Sequence, residues 1–325
     1  MYAKLIVQGP DAVKVLNHVC GAQMDVDQGV SVYTQFLNSN GGIEADVTVT
    51  RLAPTKFLVI TGHPSQIRDR YYLETQADPS WQFEIFDATS AFSLLTIQGP
   101  KSRQILQALS SNDLSNGALP FGAAREIDIA YSRGWAIRRY FLGELGYELL
   151  LPTEFTASVY EALMEVGSAC GLQHMGMFAM NACRLEKGFR HFGHDITCED
   201  HVLEAGLGFA VKTDKPNFIG RDAVLRKKED GLNKRLVQFK LKDPEPLLYH
   251  NEAVIRDGEV VGYLSSGGYG HFEGAAMGMG YVPCQGETPA EVLASTYEIE
   301  VAGVRVEAEA QTKPFYDAKG ERAKA

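Results

Sequence analysis

A chain of 325 residues, 45% hydrophobic and 22% charged, has the composition of a folded globular protein and the length for two packed units, since domains usually hold roughly 100–200 residues. Its formal charge of −10 argues against a nucleic-acid partner, because a phosphate backbone is met by a basic face. No apolar run approaches the ~20 residues that span a bilayer. The five cysteines are scattered with no C-x-x-C pair, which predicts reduced thiols in a cytoplasmic or organelle-matrix protein, not a disulfide framework, and the cytoplasm is the expected location.

The N-terminus, Met1 to Pro10, reads as a strand running into a turn, and it opens a weak internal repeat. Val7-Gln8-Gly9-Pro10 leads into Asp11 to Leu16, and Ile97-Gln98-Gly99-Pro100 leads into Lys101 to Leu106. Each is an apolar strand, a Gly-Pro turn and an amphipathic helix, with Ala12, Val15, Leu16 and Val19 on one helix face and Ile105 and Leu109 on the other. Proline just inside a helix start costs no hydrogen bond, because that amide lacks an intrahelical partner. A duplicated α+β half-domain follows from this pattern.

Between the repeats, Asn40-Gly41-Gly42 marks a turn, and strands are expected at Lys56 to Thr61 and Phe83 to Phe86. Further strands follow at Ile127 to Ser132, Ala136 to Leu142 and Tyr147 to Leu151. Pro152 to Val166 repeats apolar residues at helical spacing, and a second helix spans Phe178 to Lys187. The charged run Leu225 to Lys234 marks a domain boundary. Beyond it the period becomes two, with hairpins at Asp257-Gly258 and Ala302-Gly303, so the last hundred or so residues predict a small antiparallel barrel or sandwich. The polar tail after Pro314 reads as frayed.

No G-x-G-x-x-G separates a strand from a helix, and Gly267-Gly268-Tyr269-Gly270 reads as a tight turn. There is also no P-loop and no G-x-S-x-G elbow. His191 and His194, with Cys198 and His201 behind them, have zinc-like spacing, but their Gly-rich surroundings favour histidines bonded to backbone. Asp87 ends an apolar strand, where a desolvated acid–base group is found. From local sequence alone, a turn-capping aspartate that bonds its own backbone two residues on is the favoured explanation. Glu148 lies in an apolar run and either bridges Arg138, Arg139 or Arg184, or offers two acceptors to an amidine-like edge. Arg184 is a salt-bridged helix residue or a carboxylate clamp.

Taken in order, these stretches resemble the glycine-cleavage T-protein (aminomethyltransferase) family. Tyr33-Thr34-Gln35-Phe36-Leu37-Asn38 with Gly41-Gly42-Ile43-Glu44-Ala45-Asp46 is similar to its N-terminal signature. So are Ile97 to Pro100, Gly143-Glu144-Leu145-Gly146-Tyr147-Glu148, Arg184-Leu185-Glu186 and Phe218-Ile219-Gly220-Arg221. Asn181 to Lys187, Leu203 to Leu207, Lys215 to Gly220 and Gly262 to His271 resemble the C-terminal folate module of dimethylglycine and sarcosine dehydrogenases.

The resemblance implies a fold: a duplicated strand–turn–helix (ferredoxin-like) folate-binding unit over residues 1–230, with subdomain splits near 50–90 and 150–225, and a C-terminal antiparallel β-barrel over 231–325. It implies tetrahydrofolate as cofactor, Asp87 near its reacting nitrogens and Glu148 on the pterin edge. Phe141 falls where a pterin-contacting aromatic stands, Tyr33 and Tyr147 line the same pocket, and Arg184 approaches the glutamate tail. Two positions depart from the T-protein pattern. Met180 replaces a neighbouring arginine, and Ala91 and Ser93 occupy the region of an acid close to the Gln-Gly-Pro turn.

The implied chemistry is demethylation of a small N-methyl amine such as dimethylglycine or sarcosine. Oxidation falls to a flavin-dependent dehydrogenase domain or subunit, and this chain captures the carbon as 5,10-methylenetetrahydrofolate. The alternatives are direct methyl transfer to folate from a sulfonium, quaternary amine or aryl ether, and a non-catalytic folate-binding protein on the same fold.

Overall fold

The computed structural model describes residues 2–325. The first unit runs β1 (Tyr2–Gln8), α1 (Ala12–Val19), β2 (Ser31–Leu37), β3 (Ile43–Ala53), β4 (Lys56–Gly62), α2 (Gln66–Gln76) and β5 (Glu84–Asp87). Its strands form one sheet in the order β2-β3-β4-β1-β5, antiparallel throughout. Alternation along β1 decides which side each residue serves. Leu5 and Val7 join the core under α1 and α2, with Leu16, Phe57 and Leu73, whereas Ile6 faces the other way.

The second unit runs β6 (Phe92–Gln98), α3 (Ser102–Leu109), β7 (Ala124–Ile129), β8 (Ser132–Ile137), β9 (Gly146–Pro152) and α4 (Thr156–Ser168). It forms an antiparallel sheet, β6-β9-β8-β7. One face packs on α3 and α4 through Ile105, Leu149 and Leu163. The other meets the first sheet, where Ile6, Leu58, Ile137 and Leu150 form a shared apolar layer. The two sheets therefore stack by their inner faces with helices outside, the arrangement that lets each bury both sides.

The repeat read from the sequence is present in space: β1 leads to α1 as β6 leads to α3. Gly9 and Gly99 both take positive φ, 133° and 120°, a region that glycine enters at no steric cost. A Cβ on Gly9 would also meet the Gln82 carbonyl oxygen at 2.7 Å. The prolines fall two positions earlier than expected. Asp11 and Lys101 hold the N-cap positions, so Pro10 and Pro100 shape the turn ahead of the helix.

After α5 (Met177–Glu186), an irregular segment leads to α6 (Arg221–Asp230), which takes up most of the charged run Leu225 to Lys234. The strands β10 (Lys234–Leu241), β11 (Ala253–Arg256), β12 (Glu259–Gly270), β13 (Ala275–Pro283), β14 (Tyr297–Val301) and β15 (Val304–Gln311) close into a barrel. Pairing of β10 with β15 seals it, and closure leaves no free sheet edge.

Three expectations change. Gly267 to Gly270 belong to β12, not to a turn; a Cβ on Gly267 would lie 2.6 Å from the Tyr249 carbonyl oxygen, so the glycines admit a close chain crossing. The strand expected over Ala136 to Leu142 stops at Ile137, because Arg138 and Arg139 turn away to bond Leu119 and Ser31. The tail is anchored, not frayed: Lys187 pairs with Asp317 at 3.0 Å, and Arg103 and Arg138 donate to the Ala325 carbonyl.

Candidate active site

At one end of the contact between the sheets, the apolar layer gives way to polar side chains. Antiparallel pairing puts Ser31 opposite Thr50, Tyr33 opposite Thr48 and Gln35 opposite Asp46. These stand on the inner face of the first sheet, alternating with Val47 and Val49 of its outer core. From the second sheet, Glu148 of β9 is paired with Ile137 of β8 and shares the inward face of Leu150. Arg139 bridges the sheets by donating to Ser31 of β2.

Glu148 is the electrostatic centre of this cleft. None of the arginines that could neutralise it does so. Arg138 is taken by Asn116 and the Leu119 carbonyl, Arg139 by Ser31, and Arg184 by Asp195 at 2.6 Å. Among the described residues Glu148 has no ion-pair partner, and its buried Oε2 has no hydrogen-bond partner. Burial pushes its carboxyl up to about 7, against the pull of nearby Arg139. A buried carboxylate without donors is costly, so a ligand that brings two parallel N–H groups would satisfy it.

Tyr33 lies in the same cleft, its ring stacked on Phe209 with centroids 6.2 Å apart. Burial holds its hydroxyl well above the ordinary tyrosine range, reinforced by Asp46 beside it. Phe141 sits on the loop after β8 and stacks on Phe189 at 5.9 Å; Phe189 contacts Tyr140, which contacts Phe121 under the Arg139 guanidinium. Glu148 and Tyr33 thus both lie near Arg139, and Phe141 connects to it through the chain of rings Phe189, Tyr140 and Phe121.

Three other nominated residues stand elsewhere. Asp87 is exposed. It pairs with Leu5 of β1 and shares the strand face of Ile85, which packs toward the helices, so it and Glu148 lie on opposite sides of the first sheet. Its oxygens accept from the Thr89 amide at 2.9 Å and from the Gln66 side chain. Those Thr89 bonds hold the carboxyl below its usual range, and the residue caps a turn. Tyr147 is fully buried in the outer core of the second sheet, its hydroxyl accepting from Arg103 at 3.0 Å. Arg184 is 3% exposed, with its donors spent on Asn181, Phe189, Asp195 and Ser266, so no clamp is left for a tail.

Sequence reasoning missed Asp46 as a site residue. It accepts from the Gln35 amide at 2.8 Å, and burial raises its carboxyl to about 6 against the pull of Gln35, Tyr33 and Arg190. The available signal was the alternation Asp46, Thr48, Thr50 against Ala45, Val47, Val49, which gives β3 one polar face.

A stacked two-sheet unit with a buried acid between its sheets, joined to a closed six-stranded barrel, defines an aminomethyltransferase-type fold. A solved aminomethyltransferase T of the glycine cleavage system from Bartonella henselae has this fold, with a TM-score of 0.85 at 24% identity over 98% of this chain and 84% of that one. The GCVT N-terminal domain family matches residues 1–215, and the glycine cleavage T-protein C-terminal barrel domain matches residues 234–317. The chain belongs to the glycine-cleavage T-protein family and is an enzyme of the aminomethyltransferase type.

An aminomethyltransferase from Halothermothrix orenii is 34% identical over 89% of this chain and 80% of its own. A formaldehyde-forming 4-methylaminobutanoate oxidase from Paenarthrobacter nicotinovorans is 39% identical, and human mitochondrial sarcosine dehydrogenase 33%, each over 99% of this chain. The chain spans only 38% and 37% of those two relatives. No helix among the described residues is long and apolar enough to cross a membrane.

Proposed function

We propose that this chain binds tetrahydrofolate in the cleft between its two sheets and transfers to it a one-carbon unit derived from a small N-methyl amine of the dimethylglycine or sarcosine type. The unpaired Glu148 carboxylate carries the reading. The amino-pyrimidine edge of a pterin presents two parallel N–H donors, the complement of such a carboxylate. Tyr33 and Phe141 offer aromatic surface, and Arg139 pulls Glu148 toward its ionised form, against burial, without consuming its oxygens. When bound, the reduced folate supplies nucleophilic nitrogens that accept the carbon.

The chain's own part is positional. Glu148 fixes the pterin's orientation, and the apolar layer of Ile6, Leu58 and Leu150 closes one end of the cleft to water. Holding acceptor and donor in attack geometry is worth up to roughly 7–11 kcal/mol. The amine is oxidised on a flavin-dependent dehydrogenase domain or subunit, a division of labour supported by the oxidase and dehydrogenase names of the two longer relatives.

Calorimetric titration with tetrahydrofolate tests the cleft. Turnover of N-methyl amines with and without a flavin dehydrogenase then tests the chemistry, with 5,10-methylenetetrahydrofolate as the expected product. A methyl product formed from a sulfonium or quaternary donor with no flavoprotein would replace this reading by direct methyl transfer. Failure of reduced folate to bind would remove both.

A further inference from the structure

The charged run at the domain boundary folds onto α6, and its residues divide by face. Arg226, Lys227 and Asp230 share one side of the helix with Ala223 at helical spacing, whereas Val224 packs into the core with Ile43 and Phe218. The charged side borders a hollow of about 310 Å³, at the lower end of the range of small-molecule sites. Asn40 from the turn between β2 and β3, His201, and Asn233 just ahead of β10 complete its wall. None of these residues contributes to the cleft that holds Glu148.

Ionic matching is incomplete around this hollow. Lys227 pairs with Glu204 at 3.1 Å, and Glu204 also accepts from the Asn233 backbone amide at 3.0 Å. Nearby, Lys234 pairs with Asp200 at 2.6 Å. Arg226 and Asp230 are four residues apart, the spacing at which opposite charges meet on a helix. Among the described residues, however, they bond neither each other nor any other side chain. His201 supplies a second, independent sign. It is 7% exposed, and its Nδ1 accepts from the Leu203 amide at 3.2 Å, so the neutral ring carries its proton on Nε2. Burial favours that neutral form, and the Ala223 carbonyl draws on the ring without bonding it. The Nε2–H is therefore a buried donor with no partner, and such groups are normally satisfied.

We infer that this hollow binds a small phosphate monoester whose carrier bears hydroxyl groups, on the scale of a glycerol or sugar phosphate. Arg226 has all its donors free, Lys227 keeps donors beyond its bond to Glu204, and the His201 N–H stands beneath them. These donors come from a helix face and from a separate segment below it. That arrangement suits a phosphate, with three strong acceptor oxygens, better than a flat carboxylate, which is met by one planar fork. Asp230 accepts only, and it stands four residues along α6 from Arg226, about 6 Å at helical rise. It therefore meets a hydroxyl of the carrier and not the phosphate. Bound there, the ester ties α6 to the β2–β3 turn and to the start of the barrel.

The probes are glycerol 3-phosphate, inorganic phosphate and succinate, titrated into the full chain at low ionic strength. Calorimetry gives the affinities, and NMR follows the His201 ring and the Arg226 guanidinium. Glycerol 3-phosphate should bind roughly tenfold tighter than inorganic phosphate, the scale of one added bond to a charged group, and succinate should bind more weakly than either. Arg226→Gln should weaken both phosphates by roughly tenfold or more. Asp230→Ala should remove the advantage of glycerol 3-phosphate without weakening inorganic phosphate. Lys228→Gln takes the same charge from an exposed position of α6 outside the hollow, and should change neither affinity by more than about twofold. Thermal melts verify that the three variants fold. Saturating tetrahydrofolate should leave the phosphate affinities unaltered, and Glu148→Gln should bind both as wild type does, so this site stands or falls apart from the folate reading. The inference is overturned if no phosphate binds, if glycerol 3-phosphate has no advantage, if succinate matches the phosphates or if tetrahydrofolate competes. Equal losses in Arg226→Gln and Lys228→Gln would also overturn it, because a diffuse basic surface weakens in that way.

Discussion

Replacing Glu148 by glutamine should make the protein more stable and less able to bind folate, and the two effects have separate pH signatures. A glutamate ordinarily titrates near 4.5; in the cleft, burial raises it to about 7. The folded state therefore holds more protons than the unfolded chain between those values, so stability falls as pH rises from 4.5 to 7 and is level above it. A shift of this size corresponds to roughly 3 kcal/mol at pH 8. Glu148→Gln removes that penalty. Urea unfolding should show the variant more stable by about 2–3 kcal/mol at pH 8, once the unmet needs of a buried amide are subtracted, and indistinguishable from wild type near pH 4.5.

Binding should move the other way. The carboxylate accepts two N–H groups, whereas an amide offers one acceptor and turns a donor toward the ligand's donors. Tetrahydrofolate affinity should drop by roughly 10- to 100-fold, the range of a lost charge-assisted bond. In wild type, affinity should be flat above pH 7 and fall by up to roughly tenfold per unit below it, as the carboxyl takes up its proton; the variant should lose that dependence. Calorimetry between pH 5.5 and 8.5 measures both. A variant no more stable than wild type at pH 8, or one that binds folate unchanged, would refute the view of Glu148 as an unpaid buried charge waiting for a ligand.

Asp87→Asn should leave turnover and tetrahydrofolate affinity within about twofold of wild type, since surface polar changes away from a site are nearly neutral; a steady-state assay checks it. Tyr147→Phe should cost about 1 kcal/mol of stability in urea, the value of its bond from Arg103, with folate affinity unaltered. Arg184→Met strands Asp195, which is fully buried and also bonded to the His191 amide and Ser265. A broken buried pair costs about 3–5 kcal/mol, so the denaturation midpoint should fall steeply, and Asp195→Asn in the same chain should restore part of it.

How much was legible follows from which interactions are local. The Gly-Pro turns, the helices α1 and α4 and the barrel hairpins are written within a few residues each, by periodicity and by the positive φ that Asp257-Gly258 and Ala302-Gly303 adopt. The barrel's closure and the stacking of the two sheets join distant segments: the period-two pattern left barrel and sandwich open until the family resemblance chose the barrel, and the stacking of the sheets was not anticipated. The site divides the same way. Whether Glu148 is paired depends on Arg138, Arg139 and Arg184, and, Asn181 apart, their partners come from elsewhere in the chain or from a turn that no pattern announces.

One error was avoidable. Tyr147 and Glu148 are consecutive in a strand, so their side chains leave the sheet on opposite faces, and one pocket could not hold both. The same rule separates Asp87 from the cleft once Phe83 and Ile85 are read as core, because residues two apart share a face. Applied to β3 it would have gone further. Asp46, Thr48 and Thr50 make a polar stripe on a strand whose other face is apolar from Ile43 to Val49, and an ordinary outer sheet would turn that stripe to water. In this protein a second sheet packs over it, and a polar face that is covered, yet not filled by partners from its own chain, is where a ligand belongs.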